Sequence, residues 1–90
     1  MAEVIWTDQA IEQLDRIVVY IEVFDRLAAE RLRAGLFDVA SSLRDFPDRG
    51  RLAGNGRREL VTVPPYVLRY RVEGETVFIT AVRHGARRPD

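Results

Sequence analysis

Hydrophobic positions change period along the chain, from steps of three and four in the first half to alternation in the second. Val4-Ile5-Trp6 is a short apolar run of strand-prone residues, long enough only for an edge or added strand. Thr7 or Asp8 then offers an N-cap. Ala10, Ile11, Leu14, Ile17, Val18, Ile21 and Phe24 recur at helical spacing, with Glu12, Asp15, Arg16 and Glu22 on the polar side. This predicts an amphipathic helix of about four turns. Its run Ile17-Val18-Val19 is β-branched, so packing rather than propensity has to hold it. Asp25 reads as a second N-cap. Leu27, Ala28, Leu32, Leu36, Val39, Ala40 and Leu43 carry the next helical stripe, which ends near Phe46-Pro47 because proline biases the residue before it away from helical dihedrals. The short break at Asp25 predicts an antiparallel helical hairpin. Gly35, in the middle of the second helix, predicts close approach of the two helices.

Asp48 to Gly56 reads as a loop, rich in glycine and ending in an Asn-Gly turn signal. Strands follow over Arg57 to Val63, Tyr66 to Val72 and Thr76 to His84, with Pro64-Pro65 interrupting the first connection. Glu73-Gly74-Glu75-Thr76 predicts a tight hairpin with Gly74 at positive φ. Regular pairing from that turn sets Val72 opposite Val77, Tyr70 opposite Ile79 and Leu68 opposite Ala81, an apolar face for the helices. Arg69, Arg71, Phe78, Thr80, Val82 and His84 then share the other face. For the first strand, either parity turns Arg57 and Glu59, or Arg58, inward. The expected class is α+β: a short N-terminal strand and a helical hairpin packed on a mostly antiparallel sheet of three to four strands, with residues 1–90 as one domain.

Composition narrows the function classes. There is no cysteine, hence no disulfide and no thiolate chemistry, which fits a reducing cytoplasm. No apolar run reaches the roughly 20 residues of a membrane span, and no secretory signal is visible. Net charge is zero, but residues 1–48 hold ten acids against five arginines, and residues 49–90 nine arginines against four acids. All fourteen basic residues are arginines, which suit bidentate contact with carboxylate or phosphate. A basic half calls for an anionic partner. His84 is the single histidine, so no histidine/cysteine metal cluster is expected, and the acids lack the spacing of a metal loop. No phosphate loop or dinucleotide fingerprint occurs, and no cofactor is expected.

The order of these elements resembles the RelE/ParE superfamily of type II toxin–antitoxin toxins over nearly the whole chain. The resemblance rests on Pro47-Asp48-Arg49-Gly50-Arg51, Arg58-Glu59-Leu60-Val61, Pro65-Tyr66-Val67-Leu68-Arg69-Tyr70-Arg71-Val72 and the closing Val77 to Arg87, the last being closest to the ParE branch. It implies a small toxin neutralised by a cognate antitoxin, ParD-like in this branch, in a hetero-oligomer. ParE-like members poison DNA gyrase and are not nucleases; RelE-like members cut mRNA in the ribosome.

RNA cleavage needs a base for the 2′-hydroxyl, an acid for the leaving oxygen and cations at the phosphorane. His84 is the ready proton carrier, Glu59 a second, and Arg69 and Arg83 are candidate cations. RelE-type toxins generally use lysines, several histidines or a C-terminal aromatic, none of which stands here. The expectation is therefore a gyrase-inhibiting toxin, more a binder than an enzyme. Arg57, Arg58, Arg69, Arg71, Arg83, His84, Arg87 and Arg88 are its candidate target- or antitoxin-binding residues. The alternatives are an mRNA interferase and a toxin fold that only binds an antitoxin.

Overall fold

A computed structural model describes residues 2–85. The order is β1 (Glu3–Trp6), α1 (Asp8–Glu22), α2 (Arg26–Ser42), β2 (Arg51–Leu52), β3 (Arg57–Val61), β4 (Tyr66–Glu73) and β5 (Thr76–His84). The strands form one sheet in the order β1-β5-β4-β3-β2, antiparallel except for the β1–β5 pair. The α+β class and the helical hairpin are as expected. The sheet has five strands instead of three to four, because the segment expected to be only a loop contributes β2. Two residues are too few to show a period. The Asn-Gly signal is real, with Asn55 and Gly56 both at positive φ, but it closes a β2–β3 hairpin.

Capping starts both helices where expected. Thr7 Oγ1 accepts from the Ala10 backbone N–H, and Asp25 Oδ1 from that of Ala28. Thr7 also donates its hydroxyl to the Ile79 carbonyl, tying the start of α1 to β5. Where β1 ends, β5 has no neighbour on that side, and the Val82 N–H donates instead to Gln13 of α1. The core joins Ala10, Leu14 and Val18 of α1 and Leu32, Leu36 and Ala40 of α2 to Leu68, Tyr70, Val77, Ile79 and Val82 of the sheet. Ile11, Phe24 and Leu27, expected on the buried stripes, are exposed. Ile11 lies one position round from Ala10, Phe24 belongs to the connection, and Leu27 sits on the first turn of α2, beside the stripe through Ala29 and Leu32.

Two close approaches explain glycines. A Cβ on Gly50 would lie 2.8 Å from the Tyr70 ring and 2.9 Å from the Glu59 carbonyl. Tyr70, fully buried, uses its hydroxyl to donate to Pro47 O and to accept from Gly50 N, which pins the turn after α2 to the sheet. Burial raises the Tyr70 pKa, so the phenol stays protonated and able to donate. Gly35 does admit a close neighbour, but it is Val63 of the β3–β4 connection, not α1; a Cβ there would lie 2.6 Å from Val63 Cγ2.

That contact sets two effects against each other. Alanine at 35 gains about 1 kcal/mol of helix propensity but overpacks Val63 by about 1–3 kcal/mol. Gly35→Ala should destabilise the protein by about 1 kcal/mol in chemical denaturation. In a Val63→Ala background the same substitution should become neutral or stabilising, a sign change that a double-mutant cycle detects.

Candidate functional site

The expected alternation along β5 is broken once. Tyr70 pairs with Ile79, but Arg69 pairs with Ala81, so Thr80 is an extra residue in the ladder. Its hydroxyl donates to the Arg69 carbonyl at 3.2 Å. Beyond this bulge every side chain of β5 changes face. Leu68 lies opposite Val82, not Ala81, and Val82 enters the core. His84 lies opposite Tyr66, also on the helix side, with ring centroids 5.6 Å apart. Arg83 replaces it on the arginine face. Val82 and His84 were expected on that face, and the bulge removes both.

β3 pairs with β4 so that Glu59 and Arg57 lie on the arginine face and Arg58 on the helix side. Arg58 Nη1 donates to Gly50 O at 2.7 Å and to Asp48 O at 3.3 Å. It braces the turn after α2 and is not presented with the other arginines. Arg51 of β2 pairs with Glu59, and Glu59 with Arg69. One carboxylate thus collects three cations from three strands. Arg69 donates to Glu59 Oε2 through Nε at 3.1 Å and Nη2 at 2.8 Å. Arg83 Nη2 reaches the same oxygen at 2.8 Å, and Arg51 Nη2 lies 3.5 Å from Oε1. Glu59 is only 7% exposed. Hydrogen bonds from Arg83 and Arg69 lower its pKa from the usual value near 4.5 to about 2, against the opposing effect of burial.

The rest of the face is positive and partly aromatic. Arg71 stacks over the Phe78 ring at 4.6 Å and pairs with Glu73. Arg57 is exposed opposite Arg71. Arg87 and Arg88 lie outside the described residues. Two shallow concavities open beside the end of α2, one bounded by Ser42, Phe46 and Pro47, the other by Ala2, Arg44 and Gly74. Arg51, Glu59, Arg69 and Arg83 line neither. Three arginines around one carboxylate on an open sheet suit a macromolecular surface better than an enclosed small-molecule site. Among the described residues no group of histidines and acids could hold a metal, and no helix is long and apolar enough to cross a membrane.

Alternation along β4 put Arg69 and Arg71 on one face, as the structure does; regular pairing left Arg83 on the other parity, and Arg51 and the place of Glu59 at the centre of the cluster were not anticipated. The available signal was Glu59 itself, a lone acid among arginines at strand parity.

The architecture is thus a helical hairpin on one face of a sheet whose other face is arginine-rich. The chain belongs to the family described as the ParE toxin of type II toxin-antitoxin systems, parDE, which matches residues 4–89. It is 49% identical over 87 residues to toxin RelE2 of Caulobacter vibrioides, covering 97% of this chain and 99% of that protein. Toxin RelE1 of the same organism is 36% identical over 81 residues, covering 86% of each. The fold matches a chain of the chromosomal ParDE system from P. aeruginosa with a TM-score of 0.83 at 22% identity, covering 93% of this chain and 96% of that one. The protein is therefore a type II toxin, and the family implies an antitoxin partner.

The Glu59 cluster carries a pH signature. Its folded-state pKa is depressed, so its stabilisation is complete above about pH 4.5 and is lost as pH falls towards about 2. Near neutral pH Glu59→Gln should be less stable by about 2 kcal/mol, since it trades charge-assisted bonds for neutral ones. The difference should shrink as pH falls from about 4.5 towards about 2. Stability curves that stay parallel over that range would show that the arginines do not hold Glu59 ionised.

Proposed function

We propose that this toxin acts by binding and inhibiting DNA gyrase, without cutting nucleic acid, and that a ParD-like antitoxin neutralises it in a hetero-oligomer. The observation that carries this reading is that, among the described residues, His84 lies across the sheet from Arg69 and Arg83. General acid–base cleavage of RNA would need a proton carrier beside the cations that stabilise the phosphorane. His84 instead shares the helix-side face with Tyr66 and Val82. Glu59 lies among those arginines, but with a pKa of about 2 it is a weak base near neutral pH. What remains is a surface made to grip an anionic partner.

Arg57, Arg69, Arg71 and Arg83 form the working face of this reading; Arg87 and Arg88 are candidate binding residues from sequence alone and lie outside the described residues. Arg69 and Arg83 do double duty, because removing either also strips Glu59 of a partner. An antitoxin segment that covers this face would bring acidic groups to the arginines and apolar groups to Phe78 and Ala81. On this reading the toxin acts in the cytoplasm, where gyrase works.

Purified toxin should inhibit supercoiling by purified gyrase. Arg71→Ala, which leaves the Glu59 cluster intact, should weaken inhibition by about ten-fold, the size expected for a contact worth about 1.4 kcal/mol. His84→Ala should inhibit as well as wild type. Absence of any effect on gyrase, with mRNA cleavage in a translating extract that His84→Ala abolishes, would replace this reading with ribosome-dependent nuclease action. Antitoxin binding with neither activity would mark an inactive toxin fold.

A further inference from the structure

The hairpin tip carries an apolar surface that the arginine face does not explain. Val19, Tyr20, Val23, Phe24 and Leu27 are each between 59% and 76% exposed. They come from the last turn of α1, the connection and the first turn of α2. Tyr20 and Phe24 meet edge to face with centroids 5.4 Å apart, so the two rings hold one another outside the core. At these exposures the two rings alone present roughly 250 Å² of surface. With the three aliphatic neighbours the patch reaches the range of roughly 300–600 Å² in which the largest patch of a monomer is often functional.

The charges around it select the partner. Over residues 12–31 five acids stand against three arginines. Arg16 is paired with Glu12 and Arg26 with Glu30, which leaves the acids as the excess. Glu22 closes α1, whose last turn contains no basic residue. Asp25 follows within the tip, where it caps α2. A second copy related by a two-fold axis would set Glu22 and Asp25 against the same acids, at a cost of several kcal/mol for like charges brought together. The acidic segment suited to the arginine face would meet the same repulsion.

We infer that the hairpin tip is a docking surface for a basic amphipathic helix, with apolar residues on Tyr20, Val23, Phe24 and Leu27 and lysine or arginine beside Glu22 and Asp25. The toxin then has two interaction surfaces of opposite charge preference. This does not depend on the gyrase reading.

The test uses the full chain and two labelled synthetic helices with the same leucine stripe, one with lysines on its flanks and one with glutamates. Fluorescence anisotropy should show the basic helix binding at least about ten-fold tighter, with affinity falling as salt rises. Phe24→Ser should weaken that binding by about ten-fold without lowering the unfolding midpoint, because Phe24 lies outside the core. Arg71→Ala should leave it unchanged. Three results would each overturn the proposal. One is equal affinity for both helices. Another is loss of acidic-helix binding in Phe24→Ser, which would give the tip to the partner of the arginine face. The third is self-association of wild type that Phe24→Ser abolishes, which would give it to a second copy.

Discussion

Between the Tyr70–Ile79 and Arg69–Ala81 pairs, β5 contains one residue more than β4, and the excess is taken up at Thr80. A sheet has a strict side-chain period of two, so one extra residue exchanges the faces of everything beyond it. Val82 is thereby delivered to the core and His84 to the helix side, while Arg83 comes to the face where Arg69 stands. Without that exchange Glu59 would have lost a strong partner and Ala81 would have faced the helices where Val82 now fills the space. Thr80 stabilises the irregularity by donating its hydroxyl to the Arg69 carbonyl. The geometry of the candidate surface therefore hangs on a single backbone adjustment.

A nearly buried carboxylate on a sheet face with no helix over it is an unusual place for a charge. Its desolvation is tolerable because three guanidinium groups surround it and two of them donate hydrogen bonds to one oxygen. Arg69 and Arg83, in turn, keep part of their surface in water, so the cluster is neither a dry interior pair nor a loose surface one. Glu59 restrains the arginines in place, which limits the side-chain entropy that a partner would otherwise have to remove on binding. Arg51 joins from β2, so the same carboxylate also helps hold the shortest strand to the sheet edge. On the opposite side, Tyr70 and Arg58 fasten the turn that leads into β2. Two polar networks, one on each face, secure a segment that has almost no hydrophobic core of its own.

Charge is segregated along the molecule as it is along the chain. The helical hairpin carries the acids and ends in an exposed apolar tip; the sheet carries the arginines. Since the net charge is zero, this separation, and not an overall sign, governs what each surface attracts. A partner wrapping both regions would need different chemistry at each end.

The local pattern of the sequence was enough for the helices, their caps at Thr7 and Asp25, the Gly74 turn and the α+β class, because each is written within a few residues by periodicity, capping chemistry or the steric freedom of glycine. The arginine-rich character of one sheet face was also legible, from alternation along β4. Tertiary structure decided the rest. β2 is too short to have a period and forms only because β3 offers it an edge. Gly35 has a small side in either reading, but only packing shows that Val63 fills it. The bulge at Thr80 leaves no mark in composition or spacing, since it exists to reconcile the register of β5 with the core, and with it went the placement of His84 and Arg83. Glu59 was visible as a lone acid among arginines, but its three partners lie 8, 10 and 24 residues away in the chain, and only the sheet brings them to one carboxylate.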